Sequence, residues 1–127
     1  MSGLRVLIVE DDIIYAETVK ILLERERHTV VGIAAHTSEA RALTRAQHPD
    51  LALVDLHLND GCTGADIGRG LASAGVNVLF LTGTPEHAPR DLRGVMAVLA
   101  KPAGDARLLR AVEAAIAAIR CEDPRRA

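Results

Sequence analysis

Residues 4–12 read LRVLIVEDD, an apolar run interrupted only by Arg5 that ends abruptly on three acids, Glu10, Asp11 and Asp12. A run this short, with little polar alternation, describes a strand covered on both faces, the signature of a parallel sheet sandwiched between helices. The figure recurs: LALV (51–54) stops at Asp55, VNVLFL (76–81) at Thr82 and VMAVLA (95–100) at Lys101. If these runs are parallel neighbours, their polar ends converge on one edge, and that edge is where open α/β sheets bind ligands.

Working outward, strands are expected near 4–9, 29–34, 51–55, 77–81 and 95–100. Ile13, Ala16, Val19, Ile21, Leu22 and Leu23 supply the apolar side of a first helix. A second runs from Thr37 or Ser38, with a hydroxyl cap, to Gln47 before Pro49. The third, near 64–74, follows Thr63 with Asp66 placed to complete an acidic capping box, although Gly68 and Gly70 weaken it. Between Thr84 and Gly94, Pro85 and Pro89 permit only a short helix that starts late. The last, from Asp105 to about Arg120, aligns Leu108, Leu109, Val112, Ile116 and Ile119 against the core. Right-handed βα crossovers then give a flavodoxin-like, doubly wound α/β fold: a five-stranded parallel sheet of order 2-1-3-4-5 with five helices.

The chain has 127 residues, 49 % hydrophobic and 25 % charged, with a formal net charge of −2. That size suits one domain with a packed core, and the charge gives no reason to expect nucleic-acid binding. Cys62 and Cys121 form neither a CxxC nor a zinc pattern, so reduced thiols in a cytoplasmic protein are expected. The opening apolar run is too short for a signal peptide or a membrane span.

In the 2-1-3-4-5 order, Asp11 and Asp55 sit side by side. Crowded carboxylates must take up protons or bind a cation, and a hard ion such as Mg2+ suits oxygen donors best. Asp11 and Asp55 are expected as direct ligands, Glu10 through water, and a backbone carbonyl such as that of His57 completes the shell. A phosphoryl group arriving at Asp55 is then clamped between metal and Lys101, with Thr82 donating to a third oxygen. Asp55 becomes a self-modifying nucleophile, not a multiple-turnover catalyst.

With these residues in order, the chain resembles the response-regulator receiver domains of two-component signalling over residues 4–120. The acidic pair matches Glu10-Asp11, the phosphoacceptor Asp55, the hydroxyl residue Thr82, and the lysine followed by proline Lys101-Pro102. The resemblance implies a histidine kinase or histidine phosphotransfer protein as donor, a downstream effector protein, no direct contact with nucleic acid or membrane, and leaves a homodimer open. It also implies a receiver over 1–121 with a short tail over 122–127 and no output domain, unless the chain is a receiver fragment of a longer regulator. One departure stands out. Many receivers carry Tyr or Phe three residues before the lysine, where this chain has Val98. FLTGTP (80–85) partly resembles the FATGY signature of a single-domain subgroup, matching at Phe80, Thr82 and Gly83.

Simpler readings compete at several positions. Asp12 reads as a helix cap. HLNDGCTG follows Asp55 in place of an immediate helix, which removes capping as its explanation. Lys101 is one of two lysines in a chain that otherwise uses arginine, and a compact ammonium suits point contact with phosphate. His57 either tunes water access to an acyl phosphate or is merely solvated. Gly83 opens the site or permits a turn. Ala111, Ala114, Ala115 and Ala118 are explained by helix propensity more economically than by a dimer seam. A nucleotide- or flavin-binding domain would need a glycine-rich phosphate loop where VLIVEDD places negative charge, and a haloacid-dehalogenase-like hydrolase would need DxDx(T/V) there. The stronger rival is a receiver-like interaction module that works without phosphorylation.

Overall fold

The five apolar runs form five strands: β1 (Arg5–Val9), β2 (Thr29–Ala34), β3 (Leu51–Val54), β4 (Asn77–Thr82) and β5 (Val95–Ala100). A computed structural model describes residues 3–58, 60–61, 63–89 and 93–122. The strands pair in parallel in the order β2-β1-β3-β4-β5, as the sequence predicts. Val9 pairs with Val54, which brings Glu10 level with Asp55, and Thr82 pairs with Ala100, which places Lys101 one step beyond Thr82.

Strand side chains alternate between faces, and that alternation divides the interior in two. Val6, Ile8, Leu51, Leu53, Leu79, Leu81 and Leu99 face helices α1 (Ile13–Arg25) and α4 (Asp105–Glu122). Leu7, Val9, Ala52, Val54, Val78 and Phe80 face helices α2 (Thr37–Gln47) and α3 (Gly64–Ser73). Each fully buried Leu or Phe contributes roughly 1.5–3 kcal/mol, so this double-sided burial accounts for the near-continuous apolar strands.

The buried face of α1 carries Ala16, Val19, Leu22 and Leu23. Ile13 and Ile21, expected in the apolar stripe, are exposed together with Ile14, because a 3.6-residue period turns them away from the Val19 side. Asp12 caps α1 as expected, its Oδ1 accepting from the Tyr15 amide at 3.1 Å. On α4, Leu108, Val112, Ile116 and Ile119 are buried and Leu109 packs beside them, as the sequence predicts.

Two capping expectations fail for a shared reason. The residue before α2 is His36, which makes no side-chain cap bond, and the Thr37 amide and hydroxyl instead donate to Asp60 at 3.2 and 2.9 Å. Thr63 precedes α3 without capping it; its hydroxyl also donates to Asp60, at 2.6 Å, while Asp66 pairs with Arg69. The Thr63 bond and then the Thr37 amide hold the Asp60 carboxyl down at about 2. One carboxylate thus engages both of the hydroxyls that were expected to cap the helices locally.

Among the described residues there are four α-helices, not five. Among its described residues, the connection after β4 makes a 3-10 turn, Pro85–His87, that begins early. Pro85 occupies its first position, and Pro89 has no amide hydrogen with which to extend a helical ladder. Arg90, Asp91 and Leu92 of that connection, Cys62 and the Arg125-Arg126 tail lie outside the described residues. The Lys101-Pro102 peptide is cis.

The two α3 glycines differ in kind. A Cβ on Gly68 would meet Phe80 Cζ at 2.5 Å, whereas one on Gly70 would meet nothing within 4 Å. Urea unfolding is expected to show Gly68→Ala destabilised by about 1–3 kcal/mol and Gly70→Ala stabilised by about 0.5–1 kcal/mol.

His28 is buried, with Nδ1 accepting from the Leu4 amide at 3.1 Å and Nε2 without a partner. Burial, foremost, lowers its pKa below the ordinary 6.5. The unfolded chain therefore binds this proton more readily, so stability is full above pH 6.5 and declines as pH falls from there toward the depressed folded value. Unfolding measured across this window is expected to show that decline in wild type and a shallower one in His28→Asn, whose oxygen keeps the acceptor without titrating.

Candidate functional site at the carboxyl edge of the sheet

Glu10, Asp55 and Lys101 share the parity of Ile8, Leu53 and Leu99, so all three emerge on the α1 and α4 side of the sheet. Lys101 Nζ donates to Glu10 Oε1 and, at 3.0 Å, to Asp55 Oδ2. One ammonium therefore ties together the ends of β1, β3 and β5. Glu10 and Asp55 are both buried, at 5 % and 8 % exposure, so their charges need this partner. The Asp12 amide donates to Glu10 Oε2 at 3.1 Å, and the His57 amide to Asp55 Oδ1 at 3.3 Å.

Burial is the main influence on Glu10 and raises its pKa; hydrogen bonds from Lys101 and the Asp12 amide oppose it, and the Asp55 charge adds to it. For Lys101, burial pulls downward most strongly, but hydrogen bonds to Glu10 and Asp55 with their charges outweigh it and leave the pKa raised. The ammonium is thereby kept charged.

Glu10, Asp11 and Asp55 each present a carboxylate oxygen within 4.8 Å of the others. Like charges at that spacing repel by about 3–4 kcal/mol per pair at an effective dielectric near 20. Lys101 offsets part of this through its contacts with Glu10 and Asp55. An all-oxygen set of this kind fits a hard divalent cation, and these three residues could hold one.

Thr82 belongs to the other face, sharing the parity of Phe80. Its fully buried hydroxyl accepts from the Thr84 amide at 3.1 Å and lies 3.3 Å from the Thr84 hydroxyl. The His57 ring reaches the same Thr84 hydroxyl through Nε2 at 2.8 Å and stands edge-on to His87. The acids and lysine thus form one group, the hydroxyls and histidine a second, and Asp55 and His57 connect them through the chain.

Two residues at the site were not singled out from the sequence. Tyr15 places its ring centroid 4.6 Å from Lys101 Nζ; as one Tyr beside one Phe and no Trp, its rarity was the available signal. Gly64 begins α3 close to the end of β3, its amide donating to the Leu56 carbonyl at 3.0 Å. A Cβ there would lie 1.9 Å from the Asp55 carbonyl oxygen, so only glycine lets the helix approach this closely.

The family model of the response regulator receiver domain matches residues 6–113, and the chain belongs to that family. Receiver domains are signalling modules, in which phosphorylation and magnesium binding are usual. The chain is similar to the phyllosphere-induced regulator PhyR of Methylorubrum extorquens, 34% identical over 84 residues that cover 65% of this chain and 32% of that protein. Among solved structures it resembles the receiver domain of the Erythrobacter litoralis PhyR response regulator, with a TM-score of 0.82, 25% identity and 91% of each chain covered. It also resembles the anti-anti-sigma factor PhyR of Bartonella quintana, with a TM-score of 0.79 and 25% identity over 98% of this chain and 51% of that one. The chain thus spans about a third of the first protein and about half of the last. Among the described residues, no helix is long and apolar enough to cross a membrane.

Lys101→Met leaves Glu10 and Asp55 without their shared cation. Thermal unfolding is expected to show a loss of about 1–3 kcal/mol, less than for a fully buried pair because Lys101 keeps some solvent contact. Magnesium should restore more stability in this variant than it adds to wild type, since binding to the folded state stabilises by mass action. An equal magnesium response in both proteins contradicts a cation site shared with the lysine.

Proposed function

We propose that this receiver accepts a phosphoryl group on Asp55 from a histidine kinase or histidine phosphotransfer protein, in a magnesium-dependent reaction, and signals through a downstream effector protein or passes the group on. The observation that carries this reading is the Lys101 ammonium held between buried Glu10 and Asp55, beside a carboxylate set suited to a divalent ion.

In this reaction an Asp55 oxygen attacks phosphorus as the bond to the donor's histidine nitrogen breaks; the departing imidazole keeps the electron pair and takes a proton from solvent. Asp11 and Asp55 directly, Glu10 through water and the His57 carbonyl would hold a magnesium ion, which would supply neutralising charge to the phosphoryl oxygens. Lys101 exchanges its contact with Asp55 Oδ2 for a phosphoryl oxygen, a charge-assisted bond that forms only as the group arrives. Thr82 must turn its hydroxyl from Thr84 to reach the same group.

The modification adds close to two negative charges. Moving a two-state surface from mostly one form to mostly the other takes about 5.5 kcal/mol, and two or three charge-assisted contacts supply much of it. The responding surface comprises the 82–94 connection, β5 and α4. Likeness to PhyR proteins, one of them an anti-anti-sigma factor, favours a protein-binding output.

Acetyl phosphate with magnesium tests the acceptor. Intact-mass measurement is expected to show a gain of one phosphoryl group in wild type and none in Asp55→Asn or without magnesium. No gain in wild type would instead favour an interaction module that works without phosphorylation.

A further inference from the structure

We propose that Tyr15 is a positioning residue for phosphoryl acceptance, its ring face steadying the Lys101 ammonium while that group passes from an Asp55 oxygen to a phosphoryl oxygen. The inference rests on the reading of Asp55 as the acceptor.

A closed circuit of contacts supports it. Lys101 donates to Glu10 Oε1, Glu10 Oε2 accepts from the Asp12 amide, Asp12 Oδ1 accepts from the Tyr15 amide, and the Tyr15 ring returns to Lys101 at 4.6 Å. The residue that caps α1 therefore also fixes the start of the helix turn from which the ring projects. Tyr15 packs against the core cluster that contains Ile8, Val19, Leu53 and Leu81, so the ring has an apolar backing.

A π face differs from a hydrogen-bond acceptor in one way that matters here. It attracts a cation without fixing the direction of any N–H, so the ammonium can exchange one oxygen for another while keeping the ring contact. The hydrogen bond to Asp55 Oδ2 at 3.0 Å offers no such latitude. Val98 packs on the opposite face with α2 and α3, so Tyr15 is the aromatic ring beside the lysine among the described residues.

The test compares Tyr15→Leu and Tyr15→Phe with wild type in uptake from acetyl phosphate. Tyr15→Leu is expected to react about 2- to 30-fold more slowly, and Tyr15→Phe, which keeps the ring, to stay within about 2-fold of wild type. Magnesium affinity, followed by titration, should change less than about 2-fold in Tyr15→Leu, because the ring touches the lysine and not the carboxylates. With carbon-13 lysine there are two side chains to assign, Lys20 and Lys101. The Lys101 ε-methylene resonance should be ring-current shifted in wild type and Tyr15→Phe, and unshifted in Tyr15→Leu. Wild-type rates in Tyr15→Leu, a Phe variant as slow as the Leu variant, magnesium affinity falling in step with rate, or an unshifted wild-type resonance would each overturn the inference. A wild-type chain that takes up no phosphoryl group overturns the underlying reading, and this inference with it.

Discussion

A single ammonium between two buried carboxylates sets the terms for the rest of this molecule. Glu10 and Asp55 lie on adjacent strands, and Lys101 reaches them from the far side of β4, so the contact spans four of the five strands. Buried acids without a cation would shed their charge or disrupt the sheet edge. The lysine lets them stay close, so the order of the sheet edge and the charge of the candidate site have one origin.

Strand parity decides how the remaining polar residues are shared out. Counting by twos along β1, β3 and β5 leads to Glu10, Asp55 and Lys101 on one face; counting along β4 leads to Thr82 on the other. The acidic site thus comes with a separate hydroxyl group, in which Thr82 is engaged by Thr84 and Thr84 by His57. Any chemistry that requires Thr82 beside Asp55 must first disengage those bonds. The hydroxyl group thus has its own set of contacts, separate from those of the acids and the lysine.

Much of this was legible in the chain. The strand runs and their polar stops gave the sheet order and the Glu10, Asp11, Asp55 and Lys101 cluster, because short apolar runs ending in charge have few alternative readings. Helix ends were less legible. Thr37 and Thr63 looked like local caps, yet both hydroxyls go to Asp60, a partner that only tertiary structure supplies. Ile13 and Ile21 are apolar in composition but lie off the buried side of α1 in helical phase. The position of Tyr15 over Lys101 depends on how α1 lies across the sheet, which no local pattern encodes. Gly64 was equally silent, since the obstacle it avoids is the Asp55 carbonyl, nine residues back along the chain.

Asp60 has a mechanical consequence. Its carboxylate joins the first turn of α2 to the threonine that leads into α3, and it stays ionised down to about pH 2. The segment leaving Asp55 is therefore tied to α2, which packs on β1 and β2 beside α3 on the same face of the sheet. Through this one carboxylate, the margin of the sheet at β2 is fastened to the chain that leaves its centre.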